Sequence, residues 1–247
     1  MLIPQKIKHH LRALILKMVS RWVPPEYARY AYSQEGEDLL ISRLLELDCY
    51  QRTGFYVDIG AHHPKRYSNT QYFYERGWRG INVDASEAAM KEFELVRPRD
   101  MNVMSGVGEK EGMLTFYEFD SPALNSFDQK LSEARDSALP CKIINQKEVP
   151  VRTLQSLMEE YLPAKTTIDF MSVDVEGFDL EVIRSNDWER FRPLLLLVED
   201  GDSQSIEEAR HGAITTFMQS KGYEFLSKTA LTLFFKDTLH WDQRHAG

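Results

Sequence analysis

The apolar positions of this chain fall into short runs separated by helical stripes. Phe55-Tyr56-Val57-Asp58-Ile59 is apolar and β-favouring except for one acid, as in a strand buried on both faces. It ends at Gly60, where the backbone can turn sharply and a ligand can come close. Ser68-Asn69-Thr70 then precede a helical pattern at Tyr72, Phe73 and Arg76. Gly80-Ile81-Asn82-Val83-Asp84 predicts a second strand, again closed by an acid. The pattern next predicts a helix over 87–96 stopped by Pro98, a third strand over 101–107, and an alternating edge or hairpin strand over 112–119. Residues 120–148 show no pattern, which predicts a long functional loop or lid. A helix over 153–161 leads to a fourth strand over 168–177, which ends in Asp174, Glu176 and Gly177. A helix over 180–188 precedes a fully apolar fifth strand over 194–198, with Glu199-Asp200 at its end. One helix over 207–221, closed by Gly222, and two strands over 223–225 and 231–235 complete the chain. Strands alternating with helices, then a closing strand pair, predict an α/β fold: a mostly parallel sheet with helices on both faces.

The first 27 residues differ. Leu11, Leu14, Ile15, Met18, Val19 and Trp22 recur at helical spacing among Lys6, Lys8, Arg12, Lys17 and Arg21, and Pro24-Pro25 closes the stretch. This predicts a basic amphipathic helix outside a single domain spanning 28–247. It either makes peripheral contact with an anionic membrane or packs on the domain or on a second copy in a homo-oligomer. Lys17 and Arg21 interrupt any signal-peptide core. Ser33 is placed to cap a helix whose first turn holds Glu35, Glu37 and Asp38.

Charge narrows the function. The net charge is −8, which argues against nucleic-acid binding. Cys49 and Cys141 give no disulfide framework, and a reduced, cytoplasmic location is the simple reading. Nowhere do 18 apolar residues run together, so no transmembrane span is expected. Open α/β sheets bind ligands beyond the carboxyl ends of their strands. Here those ends are Asp58-Gly60, Asp84, Ser105, Asp174-Glu176 and Glu199-Asp200. Asp84 lies 26 residues after Asp58, near the ~20 at which such folds place a ribose-binding acid. The turn Gly60-Ala61-His62-His63-Pro64 lacks the further glycines a pyrophosphate needs. A ligand with a ribose and an ammonium but no phosphate suits these acids, and S-adenosylmethionine is such a ligand.

Five segments together resemble the FkbM family of S-adenosylmethionine-dependent methyltransferases. They are Tyr32-Ser-Gln-Glu-Gly-Glu-Asp38, Gly54-Phe-Tyr-Val-Asp-Ile-Gly-Ala-His-His-Pro64, Tyr67-Ser-Asn-Thr70, Arg76-Gly-Trp-Arg-Gly-Ile-Asn-Val-Asp84 and Ser172-Val-Asp-Val-Glu-Gly-Phe-Asp179. The resemblance covers about residues 30–235. It implies the class I methyltransferase, Rossmann-like fold: a seven-stranded sheet, order 3-2-1-4-5-7-6, with the last strand antiparallel. It also implies O-methylation, commonly of sugars in surface polysaccharides or of glycosylated natural products. On that resemblance Asp58 and Gly60 hold the methionine end of the cofactor. Asp84 binds both ribose hydroxyls, Ala85 is a further cofactor contact, and Ser105 and its neighbours border the adenine. Gln34 and Asn69 are polar contacts, and the segment over 32–38 is a flap.

A sugar hydroxyl must lose its proton as it attacks. Asp174, Glu176, His62 and His63 are the candidate bases. Alternatively Asp174, Glu199 and Asp200 bind Mg²⁺, and the metal lowers the hydroxyl's pKa, as in metal-dependent O-methyltransferases. Two other functions remain open on sequence: a non-catalytic sugar- or nucleoside-binding module, and a nicotinamide-dependent sugar oxidoreductase.

Overall fold

The computed structural model describes residues 29–47 and 52–242. The predicted helix over 1–27 lies outside these residues. Tyr32 onward forms one compact unit.

The elements in chain order are α1 (Glu37–Leu44), β1 (Phe55–Ile59), α2 (Gln71–Tyr74), β2 (Arg79–Asp84), α3 (Glu87–Val96), β3 (Met101–Met104), β4 (Gly106–Val107) and β5 (Gly112–Phe119). There follow α4 (Gln129–Ala138), β6 (Ile143–Arg152), α5 (Leu154–Tyr161), β7 (Phe170–Val173), α6 (Asp179–Arg184), β8 (Leu195–Glu199), α7 (Ile206–His211), α8 (Ala213–Ser220), β9 (Tyr223–Lys228) and β10 (Thr232–Asp237). Seven strands form the main sheet, in the order β3-β2-β1-β7-β8-β10-β9. Counting only those seven, the order is 3-2-1-4-5-7-6. β10 runs antiparallel to both its neighbours, and the others are parallel. This is the class I methyltransferase fold.

Strands buried on both faces explain the sheet. Tyr56, Phe170, Leu195, Leu197 and Phe234 pack on one face with Ile41 of α1, Leu45 just after it, and Phe73 and Trp78. Val57, Ile59, Met171, Val173, Leu196 and Val198 pack on the other, against α5, α6 and α8 through Leu157, Ile183 and Met218. Register places the site. Ile59 is level with both Val83 and Val173, and Val173 is level with Val198. The next residues, Gly60, Asp84, Asp174 and Glu199, therefore emerge side by side from four adjacent strands.

Four sequence expectations change. The strand expected over 101–107 breaks at Ser105: its second part, β4, leaves for a separate three-stranded sheet, order β4-β6-β5. The expected lid over 120–148 is not patternless. It holds a 3₁₀ turn at Pro122–Leu124, α4 and the first half of β6. α4 buries only Ser132, and β6 is mostly exposed until Val149. Neither segment therefore carries an apolar stripe that could reveal it. The helix expected over 207–221 is two helices, α7 and α8, divided at Gly212. Finally, α1 begins after Gly36, whose φ of 89° is left-handed, so Ser33 is not its cap residue. Ser33 instead accepts from the Asp38 backbone N–H and donates to the Asp38 carboxylate.

Candidate active site

A cavity of about 770 Å³ opens at the carboxyl edge of the main sheet. Its wall holds Asp58, Gly60, Asn69, Asp84, Ala85 and Ser105, together with Asp174, Glu176 and Glu199. Gly60 has φ +78°, and a Cβ there would fall 1.7 Å from the Asp174 carbonyl oxygen. Its glycine is thus required by the close passage of two strand ends. Asp58 is buried and accepts a 2.7 Å hydrogen bond from the Thr70 hydroxyl. Burial raises its pKa to about 6, and the Thr70 bond and Arg97 hold it from rising further. Asp84 accepts from two backbone N–H groups, His62 on Oδ2 at 2.8 Å and Ser86 on Oδ1 at 2.7 Å. Burial raises its pKa while these two bonds restrain it. Each Asp84 oxygen keeps a lone pair for a further donor. Asn69 donates to Ser172 Oγ at 2.9 Å, which leaves its carbonyl oxygen as an acceptor on the cavity wall.

Part of the wall is crowded with acid. Asp174, Glu176 and Glu199 bring carboxylate oxygens within 4.8 Å of one another. Asp174 is exposed on the cavity wall. Burial and then the charges of Glu199 and Glu176 raise its pKa well above the usual range. Glu199, hydrogen-bonded to Asp174, is pushed up to about 8, by burial and then by Glu176 and Asp179. Glu176 sits in a left-handed conformation, φ 55°, and its carboxylate pairs with Arg135 of α4. Asp179 ties this turn together by accepting from the Val175 and Gly177 N–H groups.

The cavity's walls come from three insertions. The Ser126 hydroxyl donates to the Glu176 carbonyl at 2.7 Å, so the 3₁₀ turn and α4 close one side. The flap over 32–38 closes another: Glu35 and Glu37 accept from the Leu231 N–H and the Thr232 hydroxyl beside β10. His62 lines the third, its pKa lowered by burial and by His63 and Arg66.

Most of the residues singled out from sequence reach this cavity: Gln34, Asp58, Gly60, His62, His63, Asn69, Asp84, Ala85, Ser105, Asp174, Glu176 and Glu199. Asp200 is not on its wall; its carboxylate accepts from the Ser203 N–H. Among the described residues, Glu176 therefore completes the group of three carboxylates that Asp200 was expected to complete. His63 is occupied as well. Its Nδ1 accepts from the Lys65 and Arg66 N–H groups at 2.9 Å, which leaves the proton on Nε2, 3.4 Å from Glu92. Sequence reasoning passed over Glu35, Glu37, Arg135 and Arg97. Only the two glutamates lay in a segment already marked, and the arginines contact the site through tertiary folding alone.

A sheet of this order, with acids level at its ligand edge, defines a protein of the class I methyltransferase type. Residues 58–225 match the family model described as the methyltransferase FkbM domain, and the chain belongs to that family. Among solved structures, the crystal structure of methyltransferase FkbM from Methylobacillus flagellatus KT at 2.20 Å resolution is similar at 13% identity and a TM-score of 0.43. That match covers 87% of this chain and 46% of the other, so the chain spans about half the length of the structure it matches. No curated protein matches the chain. Among the described residues no helix is long and apolar enough to cross a membrane.

Proposed function

We propose that this chain is an S-adenosylmethionine-dependent O-methyltransferase acting on a hydroxyl of a sugar, in a polysaccharide or a glycosylated natural product. The observation that carries this reading is the division of one cavity. Asp58 and Asp84 sit at the ends of β1 and β2 on one side, and the Asp174–Glu199 pair sits at the ends of β7 and β8 on the other. Bound S-adenosylmethionine supplies an electrophilic methyl group on a sulfonium. Asp84 accepts from the two ribose hydroxyls with its remaining lone pairs. Asp58 and the Asn69 carbonyl oxygen meet the ammonium of the methionine end. Ala85 and Ser105 border the base. Facing them, Asp174 and Glu199 are both raised above the ordinary carboxylate range. In its ionised form the pair accepts the hydroxyl's proton as that oxygen takes the methyl group and the sulfonium sulfur leaves as a thioether. Holding that oxygen in line with the methyl provides much of the acceleration.

The test combines binding and turnover. Calorimetry should detect S-adenosylhomocysteine and not NADH. Asp84→Ala should bind S-adenosylhomocysteine at least about tenfold more weakly, since hydrogen bonds to a charged group contribute ~1.5–3 kcal/mol each. Incubation with S-adenosylmethionine and candidate glycans should add CH₂ by mass spectrometry. NADH binding in place of S-adenosylhomocysteine would overturn the reading in favour of an oxidoreductase. S-adenosylhomocysteine binding without turnover on any glycan would leave a binding module.

A further inference from the structure

Arg97, the residue that ends α3, has no solvent exposure, and among the described residues no carboxylate forms an ion pair with it. A guanidinium without a paired carboxylate is costly to bury, so its neighbours repay inspection. Its Nε and Nη2 donate to the Pro64 carbonyl. Nη2 also donates to Ser68 Oγ at 2.7 Å, and Nη1 to Thr70 Oγ1 at 2.6 Å. The Phe93 ring lies 5.1 Å away, centroid to guanidinium carbon. All three oxygens belong to the loop that runs from β1 to α2 along the cavity.

Thr70 makes the arrangement directional. Its hydroxyl is fully buried and has one proton, which it donates to Asp58 Oδ2 at 2.7 Å. Its oxygen accepts from Arg97, and the 3.2 Å contact with Ser68 must then be donated by Ser68. Every donor in the chain thus points one way: Arg97 to Thr70, and Thr70 to Asp58. A hydroxyl that accepts from a cation is a stronger donor to the next group. The other charged or titratable groups facing Asp58 are Asp84 at the end of β2, Asp100 before β3, Asp174 after β7 and Tyr56 of β1. Asp100 and Asp84 oppose its ionisation, and Arg97 is the cation that favours it.

We propose that Arg97 is a positioning residue for Asp58: through the Thr70 hydroxyl it orients the Asp58 carboxylate toward the cavity and favours its charged form. The inference rests on the reading of Asp58 as a contact for the cofactor's methionine end. It goes beyond that reading by assigning what keeps the acid ionised at a buried strand end.

The experiment separates the two. Carbon NMR of the side-chain carboxyls, with Asp58 assigned through Asp58→Asn, reports Asp58's titration in the protein without ligand. Wild type should titrate near 6. Thr70→Val removes the donor at nearly constant shape, and the titration should move up by about one pH unit, the worth of one charge-assisted hydrogen bond. Thr70→Ser, which keeps the hydroxyl, should restore the wild-type value. Arg97→Lys, provided its unfolding midpoint shows that it folds, should shift the titration in the same direction. Calorimetry with S-adenosylhomocysteine should follow. A one-unit shift makes Thr70→Val about fivefold weaker near pH ~6 and close to wild type near pH ~8. A purely structural loss would weaken binding equally at both. If folded Thr70→Val titrates Asp58 as wild type does, the relay is overturned. If the titration shifts but Asp58→Asn binds S-adenosylhomocysteine normally, the relay stands and the cofactor reading of Asp58 falls.

Discussion

Asp174 and Glu199 emerge from neighbouring strands with their carboxyls hydrogen-bonded to each other. Burial and neighbouring acids raise both, so the two titrate as a coupled pair. Replacing Asp174 by Asn keeps the shape and hydrogen-bonding reach but removes the acceptor for the hydroxyl's proton. We expect Asp174→Asn to bind S-adenosylhomocysteine within a few-fold of wild type and to lose roughly 10²-fold or more in turnover, the scale of general-base assistance. Wild-type turnover should rise with pH across the range where the pair gives up its protons, and EDTA should leave it unchanged, because Glu176 is already paired with Arg135. Inhibition by EDTA with rescue by Mg²⁺ would give Asp174, Glu176 and Glu199 to a cation instead. At this scale the acids were legible because each stands in or just after a mostly apolar, β-favouring run, where a carboxylate has no packing role. Their controllers were not. Thr70 lies 12 residues from Asp58, and Arg97 a further 27 from Thr70, with nothing local to link them.

Among the elements, the central parallel strands declared themselves by composition, since runs such as Leu195–Val198 and Phe55–Ile59 suit burial on both faces. The insertion between β5 and β6 did not, because a polar helix packed through one serine has no apolar period to read. Yet the insertion is bound to the site by two contacts, Arg135 of α4 to the Glu176 carboxylate and Ser126, in the loop before α4, to the Glu176 carbonyl. Few apolar contacts and a small number of polar ones are the attributes of an element that opens locally. We expect hydrogen exchange across 121–138 to slow when cofactor and acceptor analogue bind together, and Arg135→Gln to abolish much of that slowing. Equal exchange with and without ligands would show the insertion to be a permanent wall.

Across the whole molecule, most raised carboxyl pKa values gather around the cavity, at Asp58, Asp84, Asp174, Glu176, Asp179 and Glu199, while Asp100 is raised beside Tyr56. The consequence for stability has a definite sign. Between its ordinary value of 4.5 and its folded value of about 8, Glu199 holds a proton in the native state that the unfolded chain has released. Unfolding free energy therefore falls as pH rises through that window. Glu199→Gln should raise the unfolding midpoint at pH ~8 by several degrees, and the gain should vanish below pH ~4.5, where both states are protonated. An unchanged midpoint at both pH values would show that Glu199 is not destabilising. A related tension sits at Glu176, whose backbone is held left-handed, a conformation that glycine adopts without strain and other residues at a cost of about 1–2 kcal/mol. Glycine there would relax the turn and remove one charge from the acid group. A population of variants screened for survival after heating, with no demand on activity, would therefore drift toward Glu176→Gly and let go of Arg135. Screened for methyl transfer, the same population would keep the strained glutamate, and the two outcomes would measure how far this protein's durability has been traded for its chemistry.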